Sequence, residues 1–259
     1  MRKIVFLSAL AFVCAPSDVR AFETKQTPSG AAIRWHVTHA TWQLDPSLDQ
    51  VKGGAQAFRD AAAAWSGKSG APQITVSNST VPHAPAFDGV NGIYYVPGGY
   101  APAGNALAIT IVHAQDATGE IVDCDIVLNG KYDLEAIAKG EDGGDAPAEN
   151  EHDATPGRTY DVARVAAHEM GHALGLADEP SEPNALMYPF VSPDRALDAS
   201  PQEDDLAGIG SLYRTSSQPV TTSKRLRGCA AAPGERGNVT IVLALALAII
   251  VARRRFTRT

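Results

Sequence analysis

The chain of 259 residues reads as one α+β domain over residues 22–214, between a leader at the front and a linker and tail at the back. Three observations predict that class. Five stretches of the body are rich in β-branched and aromatic residues, three others carry helix signals, and the long apolar runs are confined to the two ends. Hydrophobic content of 44% and charged content of 20% are those of an ordinary globular protein.

The elements follow in order. AAIRWHVT (31–38) is the first expected strand. SLDQVKGGAQAFRDAAAAWSG (47–67) is a helix. Ser47 offers its cap, and Leu48, Val51, Ala55, Phe58, Ala62 and Trp65 recur at helical spacing, while Gly53 and Gly54 weaken its first half. PQITVSNST (72–80), NGIYYVPGG (91–99), ALAITIVHA (106–114) and IVDCDIVLNG (121–130) supply four more strands, with QDATGE as the turn before the last. The acidic, Gly-rich stretch 133–156 is expected to be a surface loop. YDVARVAAHEMGHALGL (160–176) is the second helix, with Asp161 as N-cap and Gly175 ending it in the left-handed conformation. SPQEDDLAGIGSLYR (200–214) is the third, where Ser200 caps, Pro201 takes the first turn and Glu203 completes a capping box.

The charge is unevenly placed. Residues 22–214 hold 11 Lys+Arg against 27 Asp+Glu, although the whole chain carries only −7. An acidic body excludes a nucleic-acid reader, which needs a positive footprint. It fits an exported protein, and clustered carboxylates suggest calcium as a structural ion alongside their role in solubility.

Residues 1–21 read as a signal peptide. Arg2 and Lys3 precede the apolar IVFLSALAFV, and VRA before Phe22 supplies small residues at the cleavage positions. Residues 215–228 form a Ser/Thr-rich basic linker. In 229–259, the apolar IVLALALAIIVA is followed by Arg253, Arg254 and Arg255, which would hold the extreme C-terminus in the cytoplasm and leave the body outside. Cys14 and Cys229 fall in the processed ends. Cys124 is then the only cysteine of the body, expected as a small buried apolar residue.

The chemistry concentrates in AAHEMGHALGLADEP (166–180). His168 and His172, four apart on a helix, offer two imidazoles to one ion, and Glu169 lies one step around the helix as general base. Gly175 permits a sharp reversal that brings residue 178 back beneath the histidines. Asp178 is a legitimate zinc ligand, and with the histidines it leaves a fourth position open for water. Glu179 competes for the same role. His36, His39, His83 and His113 are expected to be surface or satisfied residues.

The run His-Glu-x-x-His-x-x-Gly-x-x-Asp, followed by Met187 in NALMYP, resembles the metzincin peptidases and within them the matrixins. TPSGAAIRW, AAAAWS, DCDIVLNG and DDLAGIGSLY fall in that family's order. The resemblance implies a five-stranded, mostly parallel twisted sheet with three helices and a Met-turn. It implies Met187 as the apolar floor under the metal, and Tyr188 and Pro189 as the wall of the substrate pocket. Matrixins usually place His where Asp178 stands, and no cysteine-switch segment or His-x-Asp motif for a second zinc is visible.

The function expected is a monomeric zinc endopeptidase, exported and acting on extracellular polypeptides, with Glu169 as base toward a zinc-activated water. The alternative is a non-catalytic zinc-binding surface module on the same fold. Peptide is expected along an edge strand, with 121–130 as the candidate edge. Gly228-Cys229, the apolar run and the three arginines resemble the MYXO-CTERM sorting tails of myxobacterial surface proteins. A plain membrane anchor is the other reading of that tail.

Overall fold

The computed structural model describes residues 22–138 and 154–214, together with the backbone of 239–244. The expected signal peptide, the linker and the rest of the tail lie outside the described residues.

Five strands of the body build the sheet: β1 (His39–Leu44), β2 (Gln73–Asn78), β3 (Asn91–Pro97), β4 (Ala108–Gln115) and β5 (Ile121–Gly130). Their spatial order is β2-β1-β3-β5-β4. β1 runs parallel to β2 and β3, and β3 parallel to β5. Only β4 is antiparallel, paired with β5 through a short turn. The sheet is therefore mostly parallel, as expected. Two short strands, β6 (Asp133–Glu135) and β7 (Thr159–Asp161), form a separate parallel pair. They close the base of the acidic stretch, so its first residues are strand rather than loop. A further strand, β8 (Val239–Ala244), runs antiparallel along the outer edge of β4, with Thr110 opposite Ala244.

Two corrections follow. The first strand lies at 39–44, one step beyond the expected AAIRWHVT, whose residues make only isolated bridges such as Arg34 to Glu120. IVDCDIVLNG is a strand over its whole predicted length but lies inside the sheet, between β3 and β4. The body's antiparallel edge is β4.

The helices also differ at their starts. The first segment splits into a 3₁₀ turn at Pro46–Gln50, capped by Asp45 rather than Ser47, and α1 (Gly54–Trp65). Asp45 accepts from the Ser47 N–H at 2.8 Å. α2 (Val162–Ala173) starts at Asp161, whose carboxylate accepts from Ala163 N, as expected. α3 (Glu203–Tyr213) is capped by Gln202 with Asp205 as its reciprocal partner, two residues beyond the Ser200–Glu203 box. Both sequences offer an acid three residues after a polar cap, and Asp205 wins because its carboxylate is fixed elsewhere in the fold.

The sheet has two distinct faces, set by the two-residue period of its strands. On one face Cys124, Ile126 and Leu128 of β5 stand opposite Val112, Thr110 and Ala108 of β4. This face lies against α2, and α1 packs on α2 in turn. Cys124 is fully buried there, as expected, and burial pushes its thiol up. On the other face Asp123 and Asp125 hold the loop before β3. Asp125 accepts from Ala86 N at 2.9 Å and Gly92 N at 2.8 Å, and Asp123 accepts from Gly89 N at 2.8 Å. His113 also faces this side, buried and stacked on Phe87 with its Nδ1 unpartnered, so it is neither surface nor satisfied.

The C-terminal end of α2 is the most constrained segment of the chain. Gly175 N donates to His172 O at 3.0 Å and Leu176 N to Gly171 O at 3.1 Å, which is the Schellman pattern. Gly175 has φ of +102°, and a Cβ there would sit 2.1 Å from the Ile33 carbonyl oxygen. The remaining orphan carbonyls of the last turn are taken by Trp35 Nε1 on Ala173 O and Tyr213 Oη on Leu174 O, each at 2.8 Å. No helix among the described residues is long and apolar enough to cross a membrane.

Gly175→Ala combines left-handed strain of about 1–2 kcal/mol with a clash against fixed backbone. Thermal denaturation is expected to show a loss larger than that strain alone, and an unchanged melting temperature would contradict the geometry.

Candidate metal centre

α2 is buried on almost every side, with Ala163 its one residue that is not. Its sequence makes this possible because the helix is built largely of Ala, Val and Gly, which let neighbours approach closely. Gly171 is the clearest case: a Cβ there would lie 2.4 Å from Met187 Sδ and 3.0 Å from Trp65 Cζ2. The thioether thus seats against the helix between the positions of His168 and His172.

Each histidine is oriented by a backbone carbonyl. His168 Nδ1 lies 2.9 Å from Leu186 O, and His172 Nδ1 lies 2.9 Å from Leu176 O. A carbonyl only accepts, so both Nδ1 atoms carry a proton, and each ring when neutral presents an Nε2 lone pair. The two Nε2 atoms converge on Asp178 Oδ1, each at 3.3 Å. Both Nε2 atoms and Asp178 Oδ1 are buried without a hydrogen-bond partner. Three orphaned donors of the types zinc prefers, within 4.8 Å of one another, fit a tetrahedral divalent ion with one position left over. Among the described residues this is the one such group.

The electrostatics agree. Burial resists charge on His172 and, with the nearby Lys25 ammonium, lowers its pKa to about 4. Burial acts on His168 too, but Asp178 and Glu169 outweigh it and raise the value. For Asp178, burial is overcome by the two imidazoles, which hold the carboxyl far below the usual range. The carboxylate is ionised and at least one imidazole is neutral, as a metal site requires.

Glu169 stands beside this trio, 1% exposed. Burial raises its pKa against the opposing pull of His168, Thr110 and Lys25. Its Oε2 accepts from Thr110 Oγ1 at 2.6 Å, and its Oε1 is buried and unpartnered. Glu179, the rival for the third ligand, points elsewhere. Its Oε1 accepts from Ser181 N at 3.0 Å and also meets the Ser181 hydroxyl.

With this geometry established, comparison with known proteins is direct. The sequence profile of the Matrixin family matches residues 60–214. The chain belongs to the matrixin family. Neutrophil collagenase of Homo sapiens is 43% identical over 79 residues, which cover 30% of this chain and 17% of that protein. Matrix metalloproteinase-9 of Canis lupus familiaris is 48% identical over 65 residues, 25% and 9% of the two chains. Matrilysin of Rattus norvegicus is 42% identical over 73 residues, 27% of each. The chain thus spans less than a third of the length of each of these relatives.

The structure places the other expected residues as follows. Met187 is buried in the turn 185–188, where Tyr188 N reaches Ala185 O at 3.3 Å. Tyr188 is half-buried and packs edge-on against Phe190, 5.3 Å between centroids, while Pro189 is buried. Tyr188 closes that turn and Pro189 follows it.

Several functional residues escaped the sequence reading. Asp205 accepts from Leu186 N at 2.8 Å, Met187 N at 3.0 Å and Gln202 N at 2.7 Å. It ties α3 to the matrixin Met-turn, and through Leu186 O to His168. Arg164 donates to Ala185 O at 2.6 Å and Asp198 O at 2.9 Å, pinning the same turn from α2. Lys25 places a buried ammonium with no hydrogen-bond partner near Glu169, Cys124 and Asp178, and burial lowers its pKa to about 8. The capping-box acid was a visible signal for Asp205, whereas Lys25 had none.

Asp205→Asn turns one accepting oxygen into a donor that faces backbone N–H groups. The expected cost is about 1.5–3 kcal/mol, the range for hydrogen bonds to a charged group. Equilibrium unfolding of the variant checks it, and a cost near zero would remove Asp205 as the anchor of the turn.

Proposed function

We propose that this matrixin is an exported zinc-dependent endopeptidase of extracellular polypeptides, with His168, His172 and Asp178 as ligands and Glu169 as general base. The observation that carries the reading is the convergence of three orphaned ligand atoms beside a buried carboxylate that keeps one oxygen without a partner. A zinc-binding module without catalysis would use the same three ligand atoms, but it would have no need to bury Glu169 Oε1 unpaired beside them, which costs free energy.

Zinc held there would supply Lewis-acid polarisation of the scissile carbonyl and a more acidic water. The chain's own groups do the rest. Glu169 accepts a proton from the attacking water and passes it to the leaving amine. The Nδ1 hydrogen bonds to Leu176 O and Leu186 O keep the imidazoles aimed while charge shifts. Asp178 brings one negative charge to the ligand set, as in zinc peptidases that use two histidines and a glutamate.

An extended substrate gains backbone hydrogen bonds by adding to a sheet edge. β4 is the strand that meets this need, because Thr110 connects it to Glu169. A peptide on that edge and β8 would use the same row of backbone groups. Tyr188 and Pro189 remain the proposed wall for the residue after the cut. The leader supports export, and the tail supports attachment at the cell surface.

Two variants test the reading on casein as substrate. Glu169→Gln is expected to lower kcat by about 10²–10⁴, the scale of general acid–base catalysis, with zinc stoichiometry kept. Wild-type turnover in that variant would end the assignment of the base. Asp178→Ala is expected to weaken zinc binding in a competition assay with a chelating dye, and unchanged affinity would move the third ligand elsewhere.

A further inference from the structure

Thr110 occupies an unusual position for a hydroxyl. It lies in the middle of β4 with no exposed surface, on the face that packs against α2. Its neighbours on that face of β4 are Ala108, Val112 and Ala114, all fully buried and apolar. Across the ladder stands Ile126, also fully buried. Valine has nearly the same shape and would satisfy this environment without burying a hydroxyl, which costs free energy unless a partner is found. The fold alone therefore gives no reason for threonine here.

The partner is Glu169. The Thr110 hydroxyl lies 2.6 Å from Glu169 Oε2 and 3.2 Å from the Glu169 backbone oxygen. It carries one proton, and the shorter contact to a carboxylate is the charge-assisted one. Threonine suits this task because its β-branched side chain is stiff in a strand. The strand is also rigid, being paired along its length with β5. The hydrogen bond thus fixes Oε2 to the sheet and leaves Oε1 as the buried oxygen without a partner.

We infer that Thr110 is a positioning residue for the proposed base: from the sheet it holds one oxygen of the Glu169 carboxylate and thereby aims the other at the reacting water. This rests on the reading of Glu169 as the base. The same strand offers the edge on which the peptide is proposed to lie, so one element sets both the base and the substrate. Their separation is then built into β4 instead of depending on a loop. Such an arrangement acts on kcat, because a misaimed carboxylate still permits binding.

The test compares Thr110→Val, Thr110→Ala, Thr110→Ser and Glu169→Gln in the full chain, with kcat and KM resolved on a casein-derived peptide. Zinc stoichiometry and melting temperature are measured on each. Both hydroxyl deletions are expected to lower kcat about 10- to 100-fold, the range commanded by a hydrogen bond to a charged group. KM and zinc content are expected to stay within twofold, and Thr110→Ser to recover most of the rate. Thr110→Ala keeps the test open should the valine variant fold poorly. Wild-type kcat in the hydroxyl deletions, with Glu169→Gln inactive, overturns the role of Thr110 and leaves the base intact. Loss of zinc in the deletions, or equal loss in the serine variant, overturns it in favour of plain packing. Wild-type turnover in Glu169→Gln instead overturns the underlying reading.

Discussion

The metal centre depends on one reversal of the backbone. Gly175 turns the chain at the end of α2 in a left-handed conformation, against the carbonyl of Ile33, where no side chain fits. Two consequences follow within three residues. Leu176 O comes into place to hold the His172 ring, and Asp178 comes back beneath both imidazoles. The turn that positions the third ligand is therefore also the turn that orients the second. The N-terminal segment reinforces it, since Lys25 N donates to Gly175 O and Ala177 N to Glu23 O, each within 3.0 Å. Side chains held this way would be in place before any ion arrives, the preorganisation that the proposed ligand set needs.

Carboxylates do much of the structural work in this acidic chain. Asp45, Asp123, Asp125, Asp161 and Asp205 are all buried, and each accepts backbone N–H groups that would otherwise lack partners. A carboxylate offers two oxygens and no donor, so one side chain can hold two strands of chain at once. Asp205 does this for the Met-turn and the start of α3. Asp125 does it for the loop behind the sheet. The acidity of the body is in part the signature of a fold that ties its loops with aspartate.

Much of this was legible in the sequence where a local rule had no competitor. The Asp161 cap, the left-handed Gly175 and the ligand spacing of α2 each follow from contacts within a few residues, and the structure shows all three geometries. The five strands were visible through their β-branched content, but their neighbours were not. IVDCDIVLNG was the expected edge, and its aspartates flank a cysteine in an otherwise apolar run. In the fold those aspartates face a covering loop, and the strand is internal. The first strand and the cap of α3 shifted because distant partners decided between two equally good local signals. Thr110 and Lys25 were illegible for the same reason: threonine in a strand and lysine near a terminus are ordinary until the fold brings Glu169 to them.

The two unforeseen residues also address what an aspartate ligand changes. On the proposed reading, two neutral imidazoles and one carboxylate would leave a divalent ion with a net charge of +1. A site so balanced draws less electron density from water and carbonyl than one built on three imidazoles. Lys25 alters the sum. Its ammonium is buried, so its field is little screened, and it opposes the burial that raises the Glu169 pKa. Thr110 complements this by fixing direction where Lys25 supplies only field. The carboxylate at 178 and the segment that carries Lys25 are joined at the same reversal, because Lys25 N donates to Gly175 O at 2.9 Å.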